Sequence, residues 1–225
     1  MRDDDFELEQ MPFTASRFAE NPEPRCPCIL LLDTSGSMSG EPLRQLNEGY
    51  AKFINELIDD PLAAKRVEVC VVNFGPVQMH QDFSTPDEIY PEELSVTGDT
   101  PMGAAIEFAL EELKARKAIY QEAGVSYYRP WVFLITDGAP TDSWTRAAAA
   151  IREGEASNNF AFFAVGVQGA DMQTLAKISQ REPLKLKGLR FAELFRWLSN
   201  SLKAVSKSSP GDTIALPPPS GWSEV

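Results

Sequence analysis

Four apolar runs constrain this chain more than any other feature: CILLL at 28–32, RVEVCVVNF at 66–74, WVFLIT at 131–136 and FAFFAVGV at 160–167. They are mostly continuous rather than alternating, as expected of strands covered on both faces. Between them, apolar residues recur at steps of three and four. Leu43, Leu46, Tyr50, Phe53, Ile54, Leu57 and Ile58 mark one helix, and Met102, Ala105, Ile106, Ala109, Leu110 and Leu113 another. Strands alternating with one-faced helices predict an α/β fold: a doubly wound, mostly parallel central sheet with helices on both faces. VQMHQDF at 77–83 follows Gly75-Pro76 and alternates weakly, which predicts one antiparallel edge strand joined by a hairpin. A helix from about Asp142, a short helix from Asp171, a strand near 184–186 and a final helix around 191–205 complete the alternation.

A chain of 225 residues with 43% hydrophobic residues can bury one full core. Residues 1–25, acidic and carrying Pro12, Pro22 and Pro24, read as an N-terminal arm, residues 26–206 as the domain, and residues 207–225 as a proline-rich tail. The tail reads either as a loose end or as a strap lying along its own domain or a partner, with Trp222 as anchor. A net charge of -12 argues against nucleic acid and anionic membrane as partners. No apolar run reaches the roughly 18 residues of a membrane span, and the acidic N-terminus lacks a secretory pattern, so the expected location is cytoplasmic. Cys26, Cys28 and Cys70 read as buried or reduced thiols, and His80, on the predicted edge strand, as a packed or exposed side chain. Lys114, Arg116 and Lys117 read as a solvated helix end.

In an open α/β sheet, ligands bind outside the carboxyl ends of the strands. Here those positions hold Asp33, Ser35 and Ser37 in LLLDTSGSMSG, Thr100 in GDTPM, and Asp137 in WVFLITDG. Taken alone, DTSGS also suits a capped helix start. Together, the three segments offer only hard oxygen donors, which favours Mg2+, with Mn2+ or Ca2+ as alternatives, over zinc or copper.

These segments resemble the von Willebrand factor A domain with a metal-ion-dependent adhesion site: DTSGS matches D-x-S-x-S, Thr100 the isolated threonine, and Thr136-Asp137-Gly138 the T-D-G. The resemblance implies that Ser35 and Ser37 coordinate the metal directly, Thr100 directly or through water, and Asp33 and Asp137 largely through water. It also implies that a partner protein's Glu or Asp completes the shell. LLLDTSGSMSGEP, GDTPMG, TDGAPTD and ALPPPSGW most resemble the bacterial tellurium-resistance TerY-type proteins. That likeness implies a PP2C-type phosphatase and a protein kinase as partners in a stress-linked phosphorylation system.

Asp99 departs from the neutral residue common in such relatives, and Glu41 and Asp142 add charge near the same rim as candidate second-shell groups. An acidic ligand is therefore expected to carry Lys or Arg beside it. The function expected is metal-dependent protein binding and not catalysis. The alternatives are a subunit of an AAA+ chelatase-like machine and a metal-assisted phosphoesterase, which would need Asp99 or Asp142 as its base.

Overall fold

A computed structural model describes Phe18, residues 20–219 and residues 221–224. Most of the predicted N-terminal arm lies outside the described residues. The strands are β1 (Cys26–Asp33), β2 (Val67–Phe74), β3 (Gln78–Ser84), β4 (Trp131–Thr136), β5 (Ala161–Gly166), β6 (Leu184–Leu186) and β7 (Ser223–Glu224). The helices are α1 (Glu41–Ile58), α2 (Ala63–Arg66), α3 (Met102–Glu122), α4 (Thr145–Ala156), α5 (Met172–Ile178) and α6 (Phe191–Ser206). The sheet order is β3-β2-β1-β4-β5-β6-β7, with β1, β2, β4, β5 and β6 parallel.

Every residue of β1, β2 and β4 is buried, which accounts for their lack of alternation. Along β1, Cys28, Leu30 and Leu32 face the core shared with Leu46, Phe53, Leu194 and Phe195 of α1 and α6. Ile29 and Leu31 face the opposite core, built with Ile106 and Ala109 of α3 and Ile151 of α4. The period of two thus divides one apolar run between two helical layers. The three cysteines are buried and free, and burial pushes the Cys26 thiol up to about 12.

The antiparallel edge strand expected after Gly75-Pro76 is β3, which pairs with β2, and the tail adds a two-residue strand at the other edge, where β7 pairs antiparallel with β6 through Leu186↔Ser223 and Lys185↔Glu224. The tail therefore straps onto its own domain. Trp222 is buried, its carbonyl accepts from the Lys187 amide at 2.7 Å, its ring stands 5.5 Å from Trp197, and Trp197 Nε1 donates to the Pro217 carbonyl at 2.8 Å. Burying a tryptophan removes about 150–250 Å² from water, which offsets about 5 kcal/mol of the cost of ordering the strap.

Two expectations need correction. The first is the start of α4, at Thr145 rather than near Asp142, because Asp142 caps a different helix, as described below. The second is Arg116, which is not solvated. Its guanidinium pairs with Glu68 at 2.7 Å, Glu68 also accepts from Arg25 Nε at 3.0 Å, and the Tyr120 hydroxyl donates to it at 2.5 Å. Two cations and a phenol around one buried carboxylate satisfy it at the base of β2. His80 lies on β3 with Nε2 3.2 Å from the Glu92 carbonyl, and Phe53, Phe133, Phe162 and Phe195 are buried in the cores.

Candidate metal centre

β1 and β4 are neighbours in the sheet although β2 and β3 intervene in sequence, so Asp33 and Asp137 emerge side by side at the carboxyl ends of the strands. Asp33 is fully buried. Its Oδ1 accepts from the Ser35 amide at 2.9 Å and its Oδ2 from the Thr136 hydroxyl at 2.5 Å. Burial raises its pKa, opposed by the hydrogen bonds from Ser35 and Thr136, and the nearby Asp137 charge raises it further. Ser37 Oγ donates to Asp137 Oδ1 at 2.7 Å and lies 3.1 Å from Ser35 Oγ. A short 3₁₀ turn, Gly36–Met38, sets these two serines on the same side of the loop.

Thr100 is brought in by the long connection after β3. The Thr97 amide donates to the Thr34 carbonyl at 2.8 Å and the Gly36 amide to the Gly98 carbonyl at 3.2 Å, fastening the connection to the DTSGS loop. The fit depends on Gly98, at φ 63°, where an added Cβ would stand 2.4 Å from the Gly75 carbonyl oxygen. Thr100 Oγ1 and Asp33 Oδ2 both approach Gly138: a Cβ there would meet them at 3.4 and 3.8 Å. Thr100 is itself held by its carbonyl, which accepts from the Met102 and Thr141 amides at 2.8 and 2.9 Å. All five predicted ligand residues are thus gathered at one rim.

The three rim candidates are arranged differently. Glu41 accepts from Arg44 and Gln45 along α1, and hydrogen bonding by Arg44 holds its carboxyl down at about 2. Asp142 Oδ1 accepts from the Gly103 amide at 2.9 Å and its Oδ2 from the Ala104 amide at 2.8 Å, so it caps the N-terminus of α3 from a distant loop. Asp99 is exposed and, among the described residues, has no hydrogen-bond or ion-pair partner for its side chain.

The donor set fits a hard divalent cation. Two buried carboxylates stand together with no Lys or Arg against either of them among the described residues, beside three hydroxyls. Among the described residues no group of three His, Cys, Asp or Glu side chains is placed to hold a metal ion, so hydroxyl oxygens would have to complete any shell. Asn73, inside the apolar run of β2, gives no sign in the sequence of a part in this loop. Asn73 Nδ2 donates to Thr34 Oγ1 at 3.3 Å and Thr34 Oγ1 to the Phe74 carbonyl at 3.3 Å, which ties the loop to β2 from behind.

The model of the von Willebrand factor type A domain matches residues 28–185. No curated protein sequence matches the chain significantly. Among solved structures, the pilus adhesin SpaC from Lactobacillus rhamnosus GG is similar with a TM-score of 0.67 at 13% identity, over 81% of this chain and 30% of that one. The vWF domain of the type V pili tip protein Mfa5 from Porphyromonas gingivalis gives 0.57 at 11% identity, over 84% and 99%. The SpRpn10 VWA domain gives 0.51 at 14% identity, over 75% and 82%. At such identities these likenesses concern the fold, and this chain spans less than a third of SpaC.

Proposed function

Because the chain belongs to the von Willebrand factor type A domain family, we propose that it is a metal-dependent protein-binding module without catalytic activity of its own. The observation that carries the reading is the pair of buried carboxylates, Asp33 and Asp137, with no basic partner among the described residues and with Ser35, Ser37 and Thr100 at the same rim. These five residues would hold Mg2+, or Mn2+ or Ca2+. Bound there, the cation would supply a positive charge for the Glu or Asp of a partner protein. The chain's own part is orientation. The Ser35 amide and Thr136 hydroxyl fix the Asp33 carboxylate, Ser37 fixes Asp137, and the Gly75–Gly98 contact holds the segment that carries Thr100.

The finer reading puts the chain in a bacterial tellurium-resistance, TerY-type phosphorylation system, in the cytoplasm, with a kinase and a PP2C-type phosphatase as partners. Its support is the wording of LLLDTSGSMSGEP, GDTPMG, TDGAPTD and ALPPPSGW. A role as a subunit of an AAA+ machine would use the same rim. A phosphoesterase reading is weaker, since Asp142 has both oxygens engaged by backbone amides and is poorly placed to serve as a general base.

The test is capture of partners by the tagged full chain in Mg2+, in excess chelator, and by an Asp33→Ala variant shown to be folded. Retention only with metal and intact Asp33 supports the proposal. Equal retention in all three conditions overturns it.

A further inference from the structure

At the end of the sheet opposite the metal centre, where β4 and β5 begin, lies a cavity of about 780 Å³, within the usual range for small-ligand sites. Tyr127, Trp131 and Phe163 supply its aromatic walls and Lys117, Arg129 and Arg181 its cations, while tail residues 211–214 and Leu216 form another side. Three cations in one cavity are unexpected in a chain of net charge -12.

All three gather on the last turn of α4 and the segment linking it to β5. Arg181 Nε donates to Glu155 Oε1 at 2.8 Å, Arg129 Nε to the Phe160 carbonyl at 2.9 Å and its Nη2 to the Glu155 carbonyl at 3.3 Å, and Lys117 Nζ to the Asn159 carbonyl and Oδ1 at 3.4 Å. Among the described residues only Arg181 has a carboxylate partner. Arg129 and Lys117 rest on neutral oxygens. Glu155 is further occupied by the Phe162 amide at 2.8 Å. Among the described residues the one carboxylate lining the cavity is Asp212, on the tail, whose Oδ2 accepts from the Ser209 amide at 2.8 Å. Counting both carboxylates, the cavity keeps an excess of positive charge. Burial, and then the charge of Arg181, lowers the Arg129 pKa, as expected of guanidiniums that share too little counter-charge.

The cations and rings are arranged together. Arg181 lies over Phe163, 5.2 Å from its centroid, and Lys117 over Tyr127 at 5.8 Å. Trp131 stands 5.7 Å from Phe163 at an interplanar angle of 62°, so the two rings meet at a corner. Phe133 stacks on Phe163 at 4.6 Å and Arg181 lies over the same ring, so a planar group would pack on the Arg181 guanidinium beside Trp131 while an anion on its edge meets the other cations.

We propose that this cavity binds a small planar phosphate, an aryl or nucleoside monophosphate, with its phosphate at Lys117 and Arg129 and its ring against Trp131 and the Arg181 guanidinium. The site is independent of the metal centre and is completed by the tail.

The test is calorimetric titration of the full chain with phenyl phosphate and with adenosine monophosphate, alongside inorganic phosphate and benzoate, with tryptophan fluorescence as a second readout. Saturable one-to-one binding of at least one planar phosphate is expected, weakened about tenfold or more by Lys117→Gln and by Arg129→Gln and tightened by Asp212→Asn. The same affinity is expected in chelator and in Asp33→Ala, which separates this site from the metal centre. Arg129 also holds backbone carbonyls, so Lys117→Gln and Asp212→Asn, which leave those bonds in place, decide the matter if Arg129→Gln unfolds. Absence of saturable binding by both planar phosphates overturns the proposal, as does binding that neither Lys117→Gln nor Asp212→Asn alters. Equal affinity for inorganic phosphate overturns the role of the rings, and equal affinity for benzoate overturns the choice of phosphate.

Discussion

The Ser37 hydroxyl donates a 2.7 Å hydrogen bond to Asp137 across a sequence separation of 100 residues, and so joins the loop after β1 to the end of β4. Beside it, Asp33 is buried as a carboxylate whose charge is opposed by that of Asp137. A cation bound between them would stabilise the folded state by mass action. At a concentration a hundredfold above its dissociation constant, the expected gain is about 2.7 kcal/mol, or roughly 5–10 °C in Tm for a domain of this size. Differential scanning calorimetry in Mg2+ and in chelator measures it. Asp33→Asn, which removes a buried charge, is expected to keep or raise Tm in chelator and to abolish the Mg2+ shift. A full Mg2+ shift in that variant would count against the metal centre.

Gly98 and Gly124 share nearly the same backbone angle, φ 63° and 66°, but an added Cβ meets the Gly75 carbonyl at 2.4 Å in the first case and nothing within 4 Å in the second. Gly124→Ala should therefore cost only the left-handed strain of about 1–2 kcal/mol. Gly98→Ala should cost that plus a backbone displacement, and should also reduce the Mg2+ shift, because Thr100 is carried on the displaced segment. Denaturant unfolding of both variants, with and without metal, checks the difference.

Asp142 supplies two hydrogen bonds to the first turn of α3. Asp142→Ala is expected to lose about 1 kcal/mol or somewhat more of stability while keeping the Mg2+ response, whereas Ser37→Ala should lose the response, together with about 1 kcal/mol of stability in chelator from its bond to Asp137. Loss of metal binding in Asp142→Ala, measured by titration calorimetry on the folded variant, would return this residue to the rim.

Trp222 fills a buried position between β6 and Trp197 and leads into β7. Trp222→Ala should cost about 3–5 kcal/mol and expose the amides of Lys185 and Lys187 to faster hydrogen exchange. Exchange unchanged at β6 would mean that the strap does not hold the edge.

Glu68 accepts from Arg25, Arg116 and Tyr120 with almost no exposure. Glu68→Gln leaves two buried guanidiniums without their anion and should cost about 3–5 kcal/mol. Urea unfolding measures it, and a loss under 1 kcal/mol would show the network to be dispensable.

What could be read from the sequence was local. An apolar run ending in Asp33 or Asp137 announces both a central strand and the position of its carboxyl end, and DTSGS carries its oxygen donors within five residues. What escaped depends on partners far along the chain. Arg116 ends a helical pattern and reads as solvated, but Glu68 on β2 draws it inward from 48 residues away. Asp142 reads as the opening of the next helix, yet it caps the helix that begins 40 residues earlier. Trp222 sits in a segment whose proline content suggests a loose end, and the ring that receives it, Trp197, is on α6. Lys117 and Arg129 lie on separate elements, and only the turn at 155–160 brings them to one cavity.

The neighbouring positions of β1 and β4 bear on when the metal centre can exist. Asp33 is made early in the chain and Asp137 late, and they meet only after the hairpin and α3 have been looped out and the parallel pairing Leu32↔Ile135 has formed. That pairing is a long-range contact of the kind that forms late and slowly. A cation held by both carboxylates therefore stabilises the finished sheet more than the states that precede it. Metal should slow unfolding, with the refolding rate left nearly as it was.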